Sequence, residues 1–273
     1  MAIITISREM GANAFPISQL AAEALGYRLI DGQSVRDAAP LYGLTPDDID
    51  QADEKPPAFI ETLDRKLLLT LHQIELIVLD FAREGNIVIY GRAGRDVLLN
   101  QENVFRVRII APFEQRVERL AEEEWLDPDV AYTMVRRSDH QRAGFMRYYF
   151  DCDWSDPLSY DMVINTSRIS EEKAAGMIVE GVKDPAFSGH DVAAAQALET
   201  MILRKKIQIA YLSDQQAEGM PFSVQVQDRD LILNGTVSDN KHRTLIHRIA
   251  ADIGSGYRVD NQIRVGARRS LQL

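Results

Sequence analysis

The apolar positions of this chain change rhythm several times, and each change marks an element. Residues 2–6 are a short β-branched apolar run, the texture of a strand buried on both faces of a parallel sheet. From Pro16, apolar residues recur at Ile17, Leu20, Ala21, Ala24 and Leu25, which is helical spacing, and Gly26 is a natural stop. Tyr27–Ile30 predicts a second strand. An acidic, loop-rich stretch follows, in which Thr45-Pro46-Asp47-Asp48 has the form of a helix start. Phe59, Leu63, Leu67, Leu71, Ile74, Ile77, Val78 and Phe81 lie on one face of a long helix over 58–84. Asn86–Tyr90 predicts a very apolar strand, 93–100 a helix, and Val104–Ala111 a further strand. Helices over Pro112–Trp125 and Asp129–Arg142 and a short strand at Met162–Asn165 complete the series. Strands alternating with helices in this way predict parallel β-α units.

The texture changes after a Pro/Gly/Ser-containing stretch at Lys183–His190, the candidate linker. Residues 192–213 predict a helix with Leu198, Ile202, Ile209 and Leu212 inward. Phe222–Gln227 alternates with period two, Asp228-Arg229-Asp230 makes a turn, and Leu231–Val237 returns. A helix over Asp239–Ile253 and a strand from Arg258 to Val265 follow. The order α-β-β-α-β is that of a small two-layer α+β unit. The expected division is therefore 1–185 and 191–273, an α/β unit followed by an α+β unit.

Charge follows the same division. The net charge is −10, but residues 191–273 carry 11 Lys+Arg against 9 Asp+Glu, while residues 1–190 carry 20 against 32. The two parts thus present different surfaces, and the acidic balance argues against a nucleic-acid partner. No run of about 18 apolar residues occurs, so no transmembrane segment is expected. The first residues carry neither a basic segment nor a long apolar one, which predicts no signal peptide. Cys152 is the one cysteine; no internal disulfide can form, which fits a cytoplasmic protein.

Three places could carry chemistry. Arg8 to Phe15 form a loop between a strand and a helix, where unpaired N–H groups and the helix dipole suit a phosphate. Gly11, Ala12, Asn13, Ala14 and Phe15 would supply the amides and Arg8 a cation. The same residues equally suit an ordinary strand–helix turn with Pro16 at the first helical position. Arg92 stands just past a buried strand, at the edge where open α/β sheets bind ligands, and its guanidinium suits phosphate. Arg136, Arg137, Arg142 and Arg147 concentrate positive charge in an acidic region, with Asp139 and Arg142 at i, i+3 on one helix face. Such charge serves phosphoryl transfer; it also suits a solvated helix with weak surface pairs. The five histidines are scattered and form no metal spacing.

Together, five runs resemble the cytidylate kinase-like proteins, a branch of the P-loop nucleoside monophosphate kinases, over residues 3–167. They are Ile4-Thr-Ile-Ser-Arg-Glu-Met-Gly11, Asp53-Glu-Lys-Pro56, Val88-Ile-Tyr-Gly-Arg92, Asp139-His-Gln-Arg-Ala143, and Trp154-Ser-Asp-Pro157 followed by Tyr160-Asp-Met-Val-Ile-Asn-Thr-Ser167. The resemblance implies a P-loop kinase-like fold: a five-stranded parallel sheet flanked by helices, with a mobile lid. It implies transfer of the ATP γ-phosphate to CMP or dCMP, with ATP and Mg²⁺ required. It puts Gly11 in the nucleotide-phosphate loop and Arg92 near the acceptor phosphate. Asp139 and Arg142 match the lid pattern, with Arg137 beside them. Asp161 falls in the last run, where a structural and a substrate-binding role both fit.

The chain also departs from that family. Ala14 stands where true cytidylate kinases have a lysine, Ala12-Asn13-Ala14 where this branch often has Ser-Gly-Gly, and Ala93 where an acid follows Gly-Arg. Pro16 falls at the Ser/Thr position and lacks an N–H. Residues 192–266 resemble a BON domain, through Phe222–Val237, Arg243–Ala251 and Tyr257–Ile263. That likeness implies a small-molecule, ion, phospholipid or protein partner and no catalytic residue. Three expectations follow: a nucleoside monophosphate kinase; a kinase fold that holds a nucleotide or other small anion as a sensor or scaffold without turnover; or a purely structural first unit with a tail that binds membrane or a partner.

Overall fold

The computed structural model describes residues 2–52, 65–91, 94–99, 101–188, 191–217 and 222–266. The first unit runs β1 (Ile3–Arg8), α1 (Ala14–Leu25), β2 (Arg28–Ile30), α2 (Gly32–Ala38), α3 (Pro46–Gln51), α4 (Arg65–Glu84), β3 (Ile87–Tyr90), α5 (Gly94–Val97), β4 (Val104–Ile110), α6 (Phe113–Glu123), α7 (Pro128–Phe150), β5 (Met162–Asn165) and α8 (Glu171–Gly181). Its strands form one parallel sheet in the order β2-β3-β1-β4-β5. Every crossover carries a helix, the usual way to make the long connection that parallel pairing requires. Alternate side chains feed two cores. Ile4, Ile6, Val88, Phe105, Val107 and Ile109 meet α1 and α8, whereas Ile3, Ile87, Ile89 and Val104 meet α4 and its neighbours. Both faces are covered, which explains the apolar texture of β3 and of Ile3, Ile4 and Ile6 in β1.

The helices α2 and α3 each begin on a reciprocal capping box, from Asp31 with Ser34 and from Thr45 with Asp48. Glu171–Gly181, passed over in the periodicity, form α8, capped by Ser170. α7 continues well past Arg142, to Phe150. Asp53–Pro56 and the part of the long helix expected before Arg65 lie outside the described residues.

The second unit follows on α9 (Asp191–Ser213): β6 (Phe222–Gln227), β7 (Asp230–Val237), α10 (Asn240–Ile253), β8 (Arg258–Asn261) and β9 (Arg264–Val265). β6 and β7 form an antiparallel hairpin, and β8 and β9 run parallel to β7. The single strand expected over 258–265 is thus two short ones. Phe222, Val224, Leu231 and Leu233 on one sheet face pack with Tyr211 and Leu212 of α9 and with Leu245, Ile246 and Ala250 of α10.

α9 belongs to both units. Leu198 and Ile202 sit in the core beneath the parallel sheet, and Ile207, Tyr211 and Leu212 sit in the small core. At 1.5 Å per residue its 23 residues span about 35 Å. α4 lies along it: Leu68 and Leu69 touch the small core, and Arg65 Nε donates to the Leu212 carbonyl at the end of α9. Among the described residues no helix is long and apolar enough to cross a membrane.

Candidate functional site

The β1–α1 loop opens at the carboxyl edge of the parallel sheet. Gly11 has φ +77°, and a Cβ there would collide with the Arg116 backbone carbonyl. Asn13 occupies the left-handed region at φ 55°, ψ 32°, a conformation that asparagine tolerates better than most residues. Its side chain does not cap α1; Nδ2 donates to Glu171 Oε1 of α8 at 3.0 Å. The first N–H groups of α1 therefore keep no side-chain cap and point out of the helix start. Ala14, the first residue of α1, is buried and brings no charge. Substitution of Gly11 by alanine is expected to cost about 1–3 kcal/mol from strain and collision, read as a lower urea midpoint.

The loop is fastened by its carbonyls. Thr166 Oγ1 donates to Ala12 O at 3.1 Å, Arg116 Nη1 to Met10 O at 3.2 Å, and Arg142 Nη1 to Arg8 O at 2.6 Å. Beneath it lies a charged network. The Glu9 carboxylate takes Arg108 Nη2 at 3.2 Å and the Ala111 N–H at 3.2 Å, and lies 3.3 Å from Arg116 Nε. Arg116 also grips Asp139 of α7 with both terminal nitrogens, at 3.1 and 2.8 Å, the fork geometry that gives carboxylates their strongest partners. Arg108 donates to the Trp154 carbonyl at 2.6 Å and lies 4.0 Å from the Trp154 ring centroid. Trp154 Nε1 in turn donates to Ser7 Oγ at 2.9 Å.

On the other side of the loop, the Arg8 guanidinium stacks on the Tyr90 ring, 4.4 Å from its centroid, and Phe15 meets the same ring edge-on at 5.3 Å. Arg8 fills the space beside Gly91 that a Cβ would need. A cavity of about 30 Å³ remains there, lined by Arg8, Gly91, Asp96, Arg142, Phe145 and Trp154. It has room for about one water.

The structure thus brings together Arg8, Gly11–Phe15, Asp139 and Arg142. Arg137 lies on the same helix as the last two but is exposed to solvent. Asp161 is not at this edge. It precedes β5, at the opposite end of that strand, where its carboxylate accepts the Arg106 N–H at 2.8 Å and its own N–H donates to the Arg106 carbonyl. Arg92 and Ala93 lie outside the described residues. Glu9 and Trp154 stand in the runs that carry the family resemblance but not among the expected site residues, and sequence reasoning missed Arg108 and Arg116. A signal existed for Arg108, a charge at an inward position of the apolar strand Val-Phe-Arg-Val-Arg-Ile-Ile. None existed for Arg116, one of several charges on a surface-type helix.

Comparison with known proteins bears on the whole first unit. The model of the cytidylate kinase-like family matches residues 3–168. The chain belongs to the cytidylate kinase-like family. That family's span ends just after β5, and a second match, to the BON domain, covers residues 201–267. Among the relatives, the cytidylate kinase of Natronomonas pharaonis is 27% identical over 181 residues, 66% of this chain and 88% of that protein. The cytidylate kinase of Methanococcus aeolicus is 30% identical over 180 residues, 64% of this chain and 94% of that protein. The crystal structure of an uncharacterized protein from Eubacterium ventriosum aligns with a TM-score of 0.54 at 20% identity, over 67% of this chain and 99% of that one. The parallel sheet flanked by helices is therefore the kinase-like fold, and the chain covers nearly all of these relatives while adding a BON domain after them.

Proposed function

We propose that the first unit binds the phosphates of a nucleotide at the β1–α1 loop and does not transfer phosphate at the rate of an ordinary kinase. The observation that carries this reading is what replaces the loop's usual cation. Ala14 begins α1 without a charge, and the charge near the loop is spent internally, with Glu9 held by Arg108 and Arg116 and Asp139 held by Arg116. Uncapped N–H groups at the start of α1, with Arg142 and the exposed Arg136 and Arg137 on α7, still favour an anion.

ATP fits this loop through backbone N–H groups. Mg²⁺ fits it poorly. Pro16 offers no hydroxyl within α1, and the carboxylates around the loop are already engaged, Glu9 and Asp139 by arginine and Glu171 by the Asn13 amide. The acceptor side is also narrow, since a cavity of about 30 Å³ cannot take a nucleoside until Arg8 or α7 moves. The BON domain, joined through α9, is then the part that a bound nucleotide would influence.

A second reading, transfer of the ATP γ-phosphate to CMP or dCMP, is favoured by the relatives that carry the name cytidylate kinase. Calorimetry with ATP, CMP and both, followed by a coupled turnover assay, separates the two. Saturable nucleotide binding without CMP-dependent ATP turnover is expected. Turnover in the range of about 1–100 s⁻¹ usual for kinases would establish the second reading instead, and no nucleotide affinity would end both.

A further inference from the structure

The largest described cavity is not at the loop. About 540 Å³ of space lies between α4, α5, the end of α7, α9 and β6, within the size range of small-molecule sites. One side is apolar, formed by Leu79, Val97, Phe150 and Met201. The other carries charge, most of it already matched. Lys205 pairs with Glu75, and His72 Nδ1 lies 2.8 Å from Lys205 Nζ and 3.1 Å from Glu75 Oε2. Asp96 accepts from Cys152 Sγ at 3.6 Å. Arg204, on α9, faces the same space with no hydrogen bond or ion pair among the described residues. An unmatched guanidinium beside an apolar wall selects for one kind of guest.

We infer that this cavity is a binding site for a small organic anion with an apolar body, its acid group on Arg204 and its body against Phe150, Leu79 and Met201. Carboxylates, sulfonates and phosphate esters share the required chemistry, and the guanidinium fork suits each of them. The site is distinct from the β1–α1 loop, yet the two share a wall. Asp96 of α5 lines this cavity and also the small one beside Arg8 and Arg142. A guest here thus presses on the same short helix that borders the loop.

The test is a fluorescence titration of the full chain with 1-anilinonaphthalene-8-sulfonate, which has an aromatic body and one sulfonate, followed by competition with decanoate, inorganic phosphate and ATP. Saturable binding at one site, displaced by decanoate, is expected. Arg204→Gln should weaken it about tenfold, the equivalent of one lost charge contact. Ala197→Trp, from an exposed position on the cavity rim of α9, should abolish it by filling the space, and Thr200→Trp serves if that variant does not fold. Emission that rises without saturating overturns the proposal. So does unchanged affinity in Arg204→Gln and in the folded tryptophan variant. Displacement by ATP or phosphate but not by decanoate assigns the probe to the loop, and that too overturns it.

Discussion

Arg116→Met is expected to lower stability by about 3–5 kcal/mol, the usual cost of removing one partner from a buried charge network. Calorimetry should show a melting temperature lower by about 6–20 °C, at roughly 2–4 °C per kcal/mol for a chain of this size. The side chain is 5% exposed and serves three segments together. It donates to the Ala111 and Met10 carbonyls, holds Asp139 on α7, and lies against Glu9. Methionine fills a similar volume but abandons both carboxylates and the loop carbonyl. Arg116→Lys should recover little, because an ammonium cannot reach two oxygens of Asp139 and a loop carbonyl in one plane. Nucleotide binding should fall with stability, since the loop loses the clamp on Met10. A melting shift below about 2 °C would mean that the loop does not depend on this side chain.

Glu75→Ala is expected to cost a similar amount, about 3–5 kcal/mol, by leaving Lys205 largely buried and unpaired between α4 and α9. Replacing both charges, Glu75→Leu with Lys205→Met, should restore most of the loss. The pair also gives stability a pH dependence. Burial alone would push the Glu75 carboxyl up, but the His72 hydrogen bond and the charge of Lys205 outweigh it and hold the group below the ordinary carboxylate range. A carboxyl depressed in the folded state binds its proton less readily there than in the unfolded chain. Its contribution is thus complete above the ordinary value of 4.5 and disappears as the pH falls through the folded value. Urea unfolding of wild type and Glu75→Gln should differ most near neutral pH and converge in acid. A gap that widens on acidification would reverse this assignment.

Periodicity revealed the elements whose burial is one-sided or complete. β3 and most of β1 and β4 are apolar because helices cover both faces, and β6 and β7 alternate because one face looks to solvent. The helix α8 escaped notice because Ala174, Ala175 and Ile178 are its buried residues, two of them alanine, a weak signal at any spacing. The loop was legible as a strand–glycine–helix junction, and the described residues of four motif runs, all but Arg92 of Val88–Arg92, fall on β1, β3, α7 and β5 with the segments beside them. What holds the loop was not legible. Glu9, Arg108 and Arg116 come from the loop after β1, from β4 and from α6, and their meeting depends on strand order and on the turn that returns α6 to the sheet edge. Asp161 shows the opposite limit: a motif residue whose bonds, both to Arg106, secure strand β5 rather than reach the ligand edge.

The long helix that both hydrophobic cores share has a consequence for how the chain comes apart. Severing the molecule near residue 190 would strip Leu198 and Ile202 from the larger half and leave them bare on the smaller, so neither fragment inherits a finished interior. Heat should find the same seam missing: one cooperative calorimetric peak rather than two, with the tail losing its structure when the nucleotide-type fold does.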